Sequence, residues 1–571
     1  MTLSSTEHHQ RPTTGDSTAL SRRILRWRDR IIAHPRLEWA RARAAGPTAV
    51  VIVLASAAIT LAIMHGTIWY SDEFRYGLNY RGTTHDIFKE EFGFIFPLTR
   101  IAYNGLFRLF GLRTYLPFRV FGVGCTIVLA TSVGLYARRF ANRWAGVVCV
   151  AYFMLLGSSF HNLLWPAASI NELGVAMLPL GLVILSSQRR YATVMAFVLF
   201  GLGFGFAGPQ AVAPIFGCLV FLAVTRRWRA TLIPIAWFIY YLVLVSLSDY
   251  DAPAPITTNI FNAPGFIYRS AIGSTSGAMG LEGSAGPVTF AMFVVALVVG
   301  YHRLPRERRH RVLAAIAMTV TFWSITAVLR GHLNEPAAPR YLVFPITGYV
   351  LVLVELSTLV VWSSRRRMLA AGLIAFAVVA NGSLLILSGR AFRYQSGVQR
   401  AELAALELAA DRADASYQPD PSTMPYISAG PYEAAITALG SPAFSYAHLP
   451  NATESEREAA DRVLLELRSI VATAVDAQPP GEQYTRCETH GGAAFAMQIE
   501  SSDSPIYIEN RGVLPIEIKA RRFAAIPSTA GITTVYPGRR MLIMAAPDKS
   551  TTPWTLSAVG DVWTLCGSES S

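Results

Sequence analysis

Long apolar runs alternate with short polar punctuation over the first two thirds of the chain, and the pattern changes near residue 389. Runs of roughly 17 to 25 mostly apolar residues, enough to cross a bilayer as helix, fall near 46–66, 116–137, 144–161, 169–187, 191–208, 210–225, 230–247, 285–301, 311–329, 341–362 and 368–388. The pattern predicts an α-helical polytopic membrane protein with about eleven transmembrane helices. Only Pro209 and Gln210 separate the fifth run from the sixth, and a miscount there would invert the topology of everything after it. Past residue 389 the segments 397–414 and 453–475 keep helical periodicity. After 490 the period shortens to strand-like runs, AFAMQIE, PIYIEN, LPIEIKA, ITTVYPG, RRMLIMAA and WTLSAV, separated by Gly, Pro, Asn and Asp. This end reads as a small α+β domain, with a sandwich that binds carbohydrate or a partner as one use for it.

Composition agrees with a membrane chain: of 571 residues 52% are hydrophobic and only 15% charged, against about 25% charged in soluble domains. The basic residues set the topology, because short cytoplasmic loops concentrate Lys and Arg. The tail is rich in arginine from Arg22 to Arg43, and further clusters follow the second, fourth, sixth, eighth and tenth runs: Arg138, Arg139 and Arg143, then Arg189 and Arg190, Arg226, Arg227 and Arg229, Arg303 to Arg311, and Arg365 to Arg367. Every second loop is basic, which predicts a cytoplasmic N-terminus and, after an odd number of spans, an extracytoplasmic C-terminal domain. The expected domains are a cytoplasmic basic tail over 1–45, a transmembrane domain over 46–390 with an outer loop at 67–115, and an extracytoplasmic domain over 391–571. These arginines account for much of the net charge of +13, so no nucleic-acid partner is called for. The first run sits behind some 45 polar residues and lacks a small-residue cleavage site, so it is expected to stay as a helix and not to be cleaved as a signal peptide.

Cys125, Cys149 and Cys218 fall inside predicted spans, where they act as small hydrophobes. Cys487 and Cys566 lie in the exported domain, and an oxidising compartment permits them to pair as a disulfide.

The chemistry gathers outside. WYSDEFRY, residues 69–76, places Asp72 and Glu73 just after the first span, and an ionisable residue at a membrane boundary is a candidate for function. Arg75 and Tyr76 follow. The rest of that loop mixes charges with aromatics, and 87–110 predicts a helix lying along the membrane surface. The turn between the third and fourth spans, HNLLWPAASINEL, offers His161, Asn162, Trp165, Asn171 and Glu172. The turn between the ninth and tenth, RGHLNEPAAPRY, offers Arg330, His332, Glu335, Arg340 and Tyr341. If the three segments converge on one cavity, they supply what sugar–phosphate transfer needs: a carboxylate to take a proton from an attacking hydroxyl, guanidinium groups to hold a phosphate, and aromatic faces to pack on sugar rings. A loop at 248–284 is expected to be mobile enough to close over substrate.

This order of features resembles the C-type glycosyltransferase superfamily, polytopic membrane enzymes that take a sugar from a polyprenyl-phosphate donor. The resemblance rests on a first span, the Asp-Glu pair of WYSDEFRY in a long outer loop with interfacial helices, many further spans and a C-terminal exported domain, and it covers residues 46 to 390. It implies that Asp72 is the catalytic base, with Glu73 as its substitute in a shifted register. Donor phosphate or sugar would then fall to Arg75, Tyr76, Glu172, His332, Arg340 and Tyr341. The implied partners are membrane lipid, a polyprenyl-phosphate-linked sugar and a glycan or other envelope acceptor. The KPP-like signature of several bacterial members is replaced by FGFIFPL, so no subfamily is implied. A divalent metal stays open and no cofactor is assigned; His161 and His332 lack the spacing of metal ligands. Ala- and Arg-rich, Lys-poor usage fits a high-GC bacterium with the plasma membrane as working compartment.

Plainer roles compete with these. Ser71 and Asp72 are good helix N-caps, Glu172 suits the first turn of a span through the helix dipole, and Arg340 suits a headgroup anchor. The glycines of GLGFGFAG, 201–208, serve helix packing and not phosphate binding. A transporter or flippase of a lipid-linked precursor is one alternative function, although transport sites sit near the bilayer midplane. An envelope scaffold that displays the C-terminal domain is another.

Overall fold

The computed structural model describes residues 35–70, 72–78, 96–187, 191–246, 256–281, 283–333, 335–476, 486–492, 495–499, 505–527 and 532–567. Its helices are α1 (Pro35–Ile63), α2 (Asp72–Leu78), α3 (Pro97–Phe110), α4 (Leu116–Phe140), α5 (Arg143–Met154), α6 (Phe160–Leu164), α7 (Pro166–Leu185), α8 (Ala192–Ala207), α9 (Val212–Val224), α10 (Trp228–Ser246), α11 (Ile256–Ala278), α12 (Gly286–Tyr301), α13 (Arg306–Arg330), α14 (Pro339–Ser357), α15 (Ser364–Leu408), α16 (Ala429–Leu439) and α17 (Glu454–Glu466). The chain is a multi-pass membrane protein. Eight of the described helical stretches are long and apolar enough to cross a membrane, or nine if the pair Arg143–Met154 and Gly157–Leu164, bent by 40°, is one span. Eleven were expected.

Part of the difference lies in Ala192–Val224, a 33-residue stretch that counts once by length and apolarity but reverses direction at the 3₁₀ turn Gly208–Ala211. A Cβ on Gly174 of α7 would meet Ala207 at 2.6 Å and Ala211 at 3.9 Å, and one on Gly181 would meet Cys218 at 2.8 Å and Phe200 at 3.4 Å. Since Ala207 and Ala211 share one level of α7 and Phe200 and Cys218 another, α8 runs antiparallel to α7 and α9 parallel to it. The stretch is a hairpin with Pro209 and Gln210 at its tip.

The core of the bundle is α4, α7, α9, α13 and α14, which pack on one another. In the most apolar windows of α7 and α14 72% of residues are buried, against 6% around α12 and 11% in α1, so the last two present most of their surface to lipid. The expected loop at 248–284 is largely the helix α11, packed on α12, α13 and α14. Its Ser and Thr content hid it, but these hydroxyls bond back to helical carbonyls: Ser274 to Ser270 (2.6 Å) and Thr275 to Ile272 (3.0 Å). No closing loop exists over Ile256–Ala278; residues 247–255 lie outside the described residues, as do 87–95 of the surface helix expected over 87–110, of which Pro97–Phe110 is helical as expected.

Arg227 donates to the carbonyl of Leu185, and Arg308 to that of Phe140 (3.1 Å) and to Thr358 Oγ1 (2.7 Å). Basic loops from distant parts of the sequence thus meet at one end of the bundle. Here Glu355 of α14 is fully buried, gripped by Arg311 through two hydrogen bonds (2.6 and 3.1 Å), by Arg308 (3.3 Å) and by the hydroxyl of Tyr136 (2.7 Å). The C-terminal domain caps the opposite end.

The domain boundary expected at 390 falls inside a single helix. At about 1.5 Å per residue, the 45 residues of α15 reach well past a hydrocarbon layer of about 30 Å, and the second half of the helix is a core element of the C-terminal domain against α17. Two antiparallel sheets complete that domain, ordered β1-β7-β4-β9-β2 and β3-β8-β5-β6, from β1 (Ile470–Ala474), β2 (Arg486–Gly491), β3 (Phe495–Ile499), β4 (Ile506–Asn510), β5 (Ile516–Arg521), β6 (Thr533–Val535), β7 (Arg540–Ala545), β8 (Trp554–Val559) and β9 (Val562–Gly567). Trp554 and Trp563 are fully buried between them. Cys487 and Cys566 face each other across β2 and β9 and form a disulfide. The buried carboxylate of Asp461 accepts the N–H groups of Arg522, Phe523 and Ala524 (2.9 to 3.1 Å), which pins α17 to the strand-rich part.

Candidate functional site

The first apolar helix is followed by HGTIWY, and Trp69 is fully buried against Phe107, Tyr115 and Phe118, with ring centroids 5.2, 4.7 and 4.2 Å away. This aromatic plug fixes the start of α2, the short helix that carries the Asp-Glu pair. Glu73 is fully buried. Its carboxylate accepts hydrogen bonds from Tyr103 Oη of α3 (2.7 Å), from the Tyr115 hydroxyl just before α4, and from the Ala167 N–H in the first turn of α7 (3.0 Å). One side chain therefore joins four segments remote in sequence. Burial pushes its pKa up to about 7 against the opposing pull of these donors. Burial and the charge of Glu73 likewise push the Tyr103 and Tyr115 hydroxyls well above their ordinary range.

Above this layer, at the end of the bundle next to the C-terminal domain, lies a cavity of about 390 Å³, at the small end of the usual range for ligand clefts. All three polar segments reach it. Tyr70 and Tyr76 come from the Asp-Glu segment, Trp165 from just before α7 and Asn171 from within its first half, and Arg330, Arg340 and Tyr341 from the ends of α13 and α14. Tyr76 packs tilted against Tyr103, ring centroids 5.0 Å apart, and its ring centroid lies 4.8 Å from the Arg100 guanidinium. Arg340 pairs with Glu335 (3.1 Å) in a partly exposed contact, worth little in stability and easily exchanged for a ligand. Asn162 donates to the Arg340 carbonyl at 3.2 Å and so holds the start of α14 in place. The Nε1 of Trp165 and the Oε1 of Gln210 are buried without a hydrogen-bond partner in the protein, which is uncommon for buried polar atoms and leaves a donor and an acceptor on residues of the cavity wall.

Some sequence candidates stand elsewhere. Glu73 lies beneath the cavity and does not line it, because its carboxylate is spent on Tyr103, Tyr115 and Ala167. Glu172 is buried in the first half of α7 against α4, beside Thr126 and Cys125, and does not line the cavity. His332 is exposed on the turn Gly331–Leu333, outside the lining. Arg75 turns to the C-terminal domain, its guanidinium 5.5 Å from the Tyr426 ring centroid. Asp72 is the first residue of α2, and its side chain lies outside the described residues. No pattern along the chain points to the hairpin tip Pro209–Gln210 or to Thr99 and Tyr426, all of which line the cavity: the first reads as mere punctuation, and the others owe their place to tertiary packing.

No family model matches the chain, and no curated protein matches it. Among solved structures, two crystal structures of ArnT from Cupriavidus metallidurans are similar to it, one bound to undecaprenyl phosphate and one in the apo state. Their TM-scores are 0.42 and 0.41 at 14% identity; 64% of this chain is covered, with 81% and 80% of the ArnT chains. A likeness of this size does not identify an activity.

Proposed function

We propose that this chain is a membrane glycosyltransferase that moves a sugar from a polyprenyl-phosphate donor to an envelope acceptor, at the end of the bundle capped by the C-terminal domain. That end is the outer face in this reading, because the arginine-rich loops gather at the other. The observation that carries it is the cavity itself: three polar segments spread over about 270 residues of the chain bring two arginines, an indole, three tyrosine rings and an amide to one concave site beside the Asp-Glu helix.

The chemistry follows from these groups. Asp72 stands four residues before Tyr76, one turn of α2, and Tyr76 lines the cavity. Asp72 takes the proton of the acceptor hydroxyl as its oxygen bonds to the anomeric carbon; the bond from that carbon to the phosphate oxygen breaks, and the phosphate leaves with the electron pair against Arg330 and Arg340. Holding both substrates in line supplies much of the acceleration. The cavity at one end of the bundle, and not at its midplane, favours transfer over transport.

The test uses the full chain in lipid nanodiscs with undecaprenyl phosphate, the lipid held in one of the similar structures, as the donor-side probe. Arg340→Ala and Arg330→Ala are expected to weaken binding roughly tenfold each, the loss typical of a charge-assisted phosphate contact. In membranes supplied with the native lipid-linked sugars, Asp72→Asn is expected to bind the lipid normally and to lose transfer. Full transfer by a correctly inserted Asp72→Asn protein rejects the assignment of the base.

A further inference from the structure

The cavity is not closed by the membrane helices alone. Tyr426, in the TMPYIS segment of the C-terminal domain, is part of its wall. The segment is held stiffly. The Asp420 carboxylate accepts from the Ser422 N–H (2.9 Å), the Ser422 hydroxyl (2.6 Å) and the Thr423 hydroxyl (2.7 Å). Gln399 of α15 donates to the Thr423 carbonyl at 3.2 Å, and the Ala429 N–H donates to that of Tyr417 at 2.9 Å. Met424 and Ile427, flanking the tyrosine, have no exposed surface. A ring between two such anchors has little freedom to move, and Arg75 from the Asp-Glu helix braces it by a cation–π contact.

Both parts of the protein contribute to the wall: the arginines come from the ends of membrane helices α13 and α14, aromatic rings come from the membrane part as well, and the C-terminal domain adds the Tyr426 ring from its own side. The electron-rich face of such a ring suits the slightly positive C–H face of a sugar, while the arginines are the charged groups that suit a phosphate. The part of the reaction that arrives from the side of the C-terminal domain, away from the lipid, is the acceptor.

We infer that Tyr426 forms the acceptor subsite, so that the C-terminal domain selects the carbohydrate that receives the sugar. This rests on the transferase reading above. A glycan acceptor packs against the Tyr426 ring with its attacking hydroxyl toward Asp72, while the donor phosphate stays with the arginines.

The experiment measures two ligands on one sample of full-length protein in nanodiscs: undecaprenyl phosphate by native mass spectrometry, and glycans on an array of bacterial envelope oligosaccharides. Tyr426→Ala is expected to weaken glycan binding about tenfold or more, as for loss of an aromatic anchor at a binding site, and to leave undecaprenyl phosphate binding within about twofold. Tyr426→Trp, which keeps an aromatic face, is expected to retain most glycan binding. Should the alanine variant fail to fold, Tyr426→Leu is read in the same way. Unchanged glycan binding by the variant overturns the inference, as does a wild-type protein that binds undecaprenyl phosphate but no glycan. A wild type that binds neither overturns the transferase reading with it.

Discussion

Asp72 and Glu73 are adjacent in sequence, yet consecutive helical residues point about 100° apart, and that rotation gives Glu73 a structural part. The sequence marks both carboxylates as costly near a membrane boundary. It cannot mark which of them is buried, because the tyrosines and the Ala167 N–H that receive Glu73 lie about 30, 42 and 94 residues away. The same limit applies to Glu172, whose helix position was legible but whose neighbours on α4 were not. Burial of Glu73 has a consequence for pH. Its folded pKa of about 7 stands above its unfolded value of 4.5, so between these values the folded chain holds a proton that the unfolded chain has lost. Stability from this group is full below pH 4.5 and declines as pH rises through 7, by roughly 3 kcal/mol in all. Thermal unfolding in detergent at pH 5 and pH 8 is expected to show this decline in the wild type and to lose most of it in Glu73→Gln, whose amide stays neutral. Glu73→Leu strands two buried hydroxyls and an N–H and is expected to cost about 3 kcal/mol or more at either pH. Equal pH slopes in wild type and Glu73→Gln reject the assignment.

At the scale of elements, apolar runs located most of the helices, and period-two runs located six of the nine strands among the described residues. What failed were segments whose composition contradicts their structure. Helix α11 reads as a loop because Asn, Pro, Gly, Ser and Thr dominate it, and it survives in the bundle because its hydroxyls bond to its own carbonyls and Asn259 and Ser270 bond to those of Val328 and Pro336 (both 2.9 Å). The bend between α5 and α6 was equally hidden. A Cβ on Gly157 would lie 1.8 Å from the Asn381 carbonyl oxygen, so only glycine lets α15 approach there, and the Asn381 side chain accepts from the freed Ser158 N–H at 2.9 Å. The hairpin of α8 and α9 makes a labelling prediction. Tyr191→Cys and Arg226→Cys, both at exposed positions, are expected to react with a membrane-impermeant maleimide from the same side; opposite sides would mean a single span. The Glu355 cluster makes an energetic one. Glu355→Leu leaves Arg311 buried without its counter-charge, which costs about 3 to 5 kcal/mol. The double variant Glu355→Leu with Arg311→Leu is expected to recover at least half of that loss in denaturation midpoint, since replacing both partners by apolar groups is nearly neutral.

For the molecule as a whole, the division into a membrane domain and a C-terminal domain is weaker than the composition break at 389 suggests. One hydrophobic core contains Trp69, Phe74, Tyr103 and Phe107 of the segment between α1 and α4 together with Leu403, Met424, Tyr432 and Leu464 of the C-terminal domain, and continues to Trp554 and Trp563 between the sheets. Pattern reading separates these because one set follows an apolar span and the other lies three hundred residues later. The join is closest at Gly111, after α3. Its φ is +61°, and a Cβ there would stand 2.2 Å from the carbonyl oxygen of Leu439 at the end of α16, while the next N–H, of Leu112, donates to that oxygen at 2.9 Å. Gly111→Ala forces a side chain onto a backbone at φ +61° and ψ −157°, a region essentially reserved for glycine and costing about 1 to 3 kcal/mol, and adds a collision against main chain that has no rotamer to escape into. It is expected to loosen α16 and, through the shared core, α2 and Tyr426 at once. Hydrogen exchange followed peptide by peptide distinguishes this from two independent domains. A single unit shows faster exchange together in 69–78, 401–408 and 424–439, with a loss of glycan binding that parallels it. If exchange rises only around 436–440 and the Asp-Glu segment keeps its protection, that segment and the C-terminal domain are separable, and the cavity does not depend on their union.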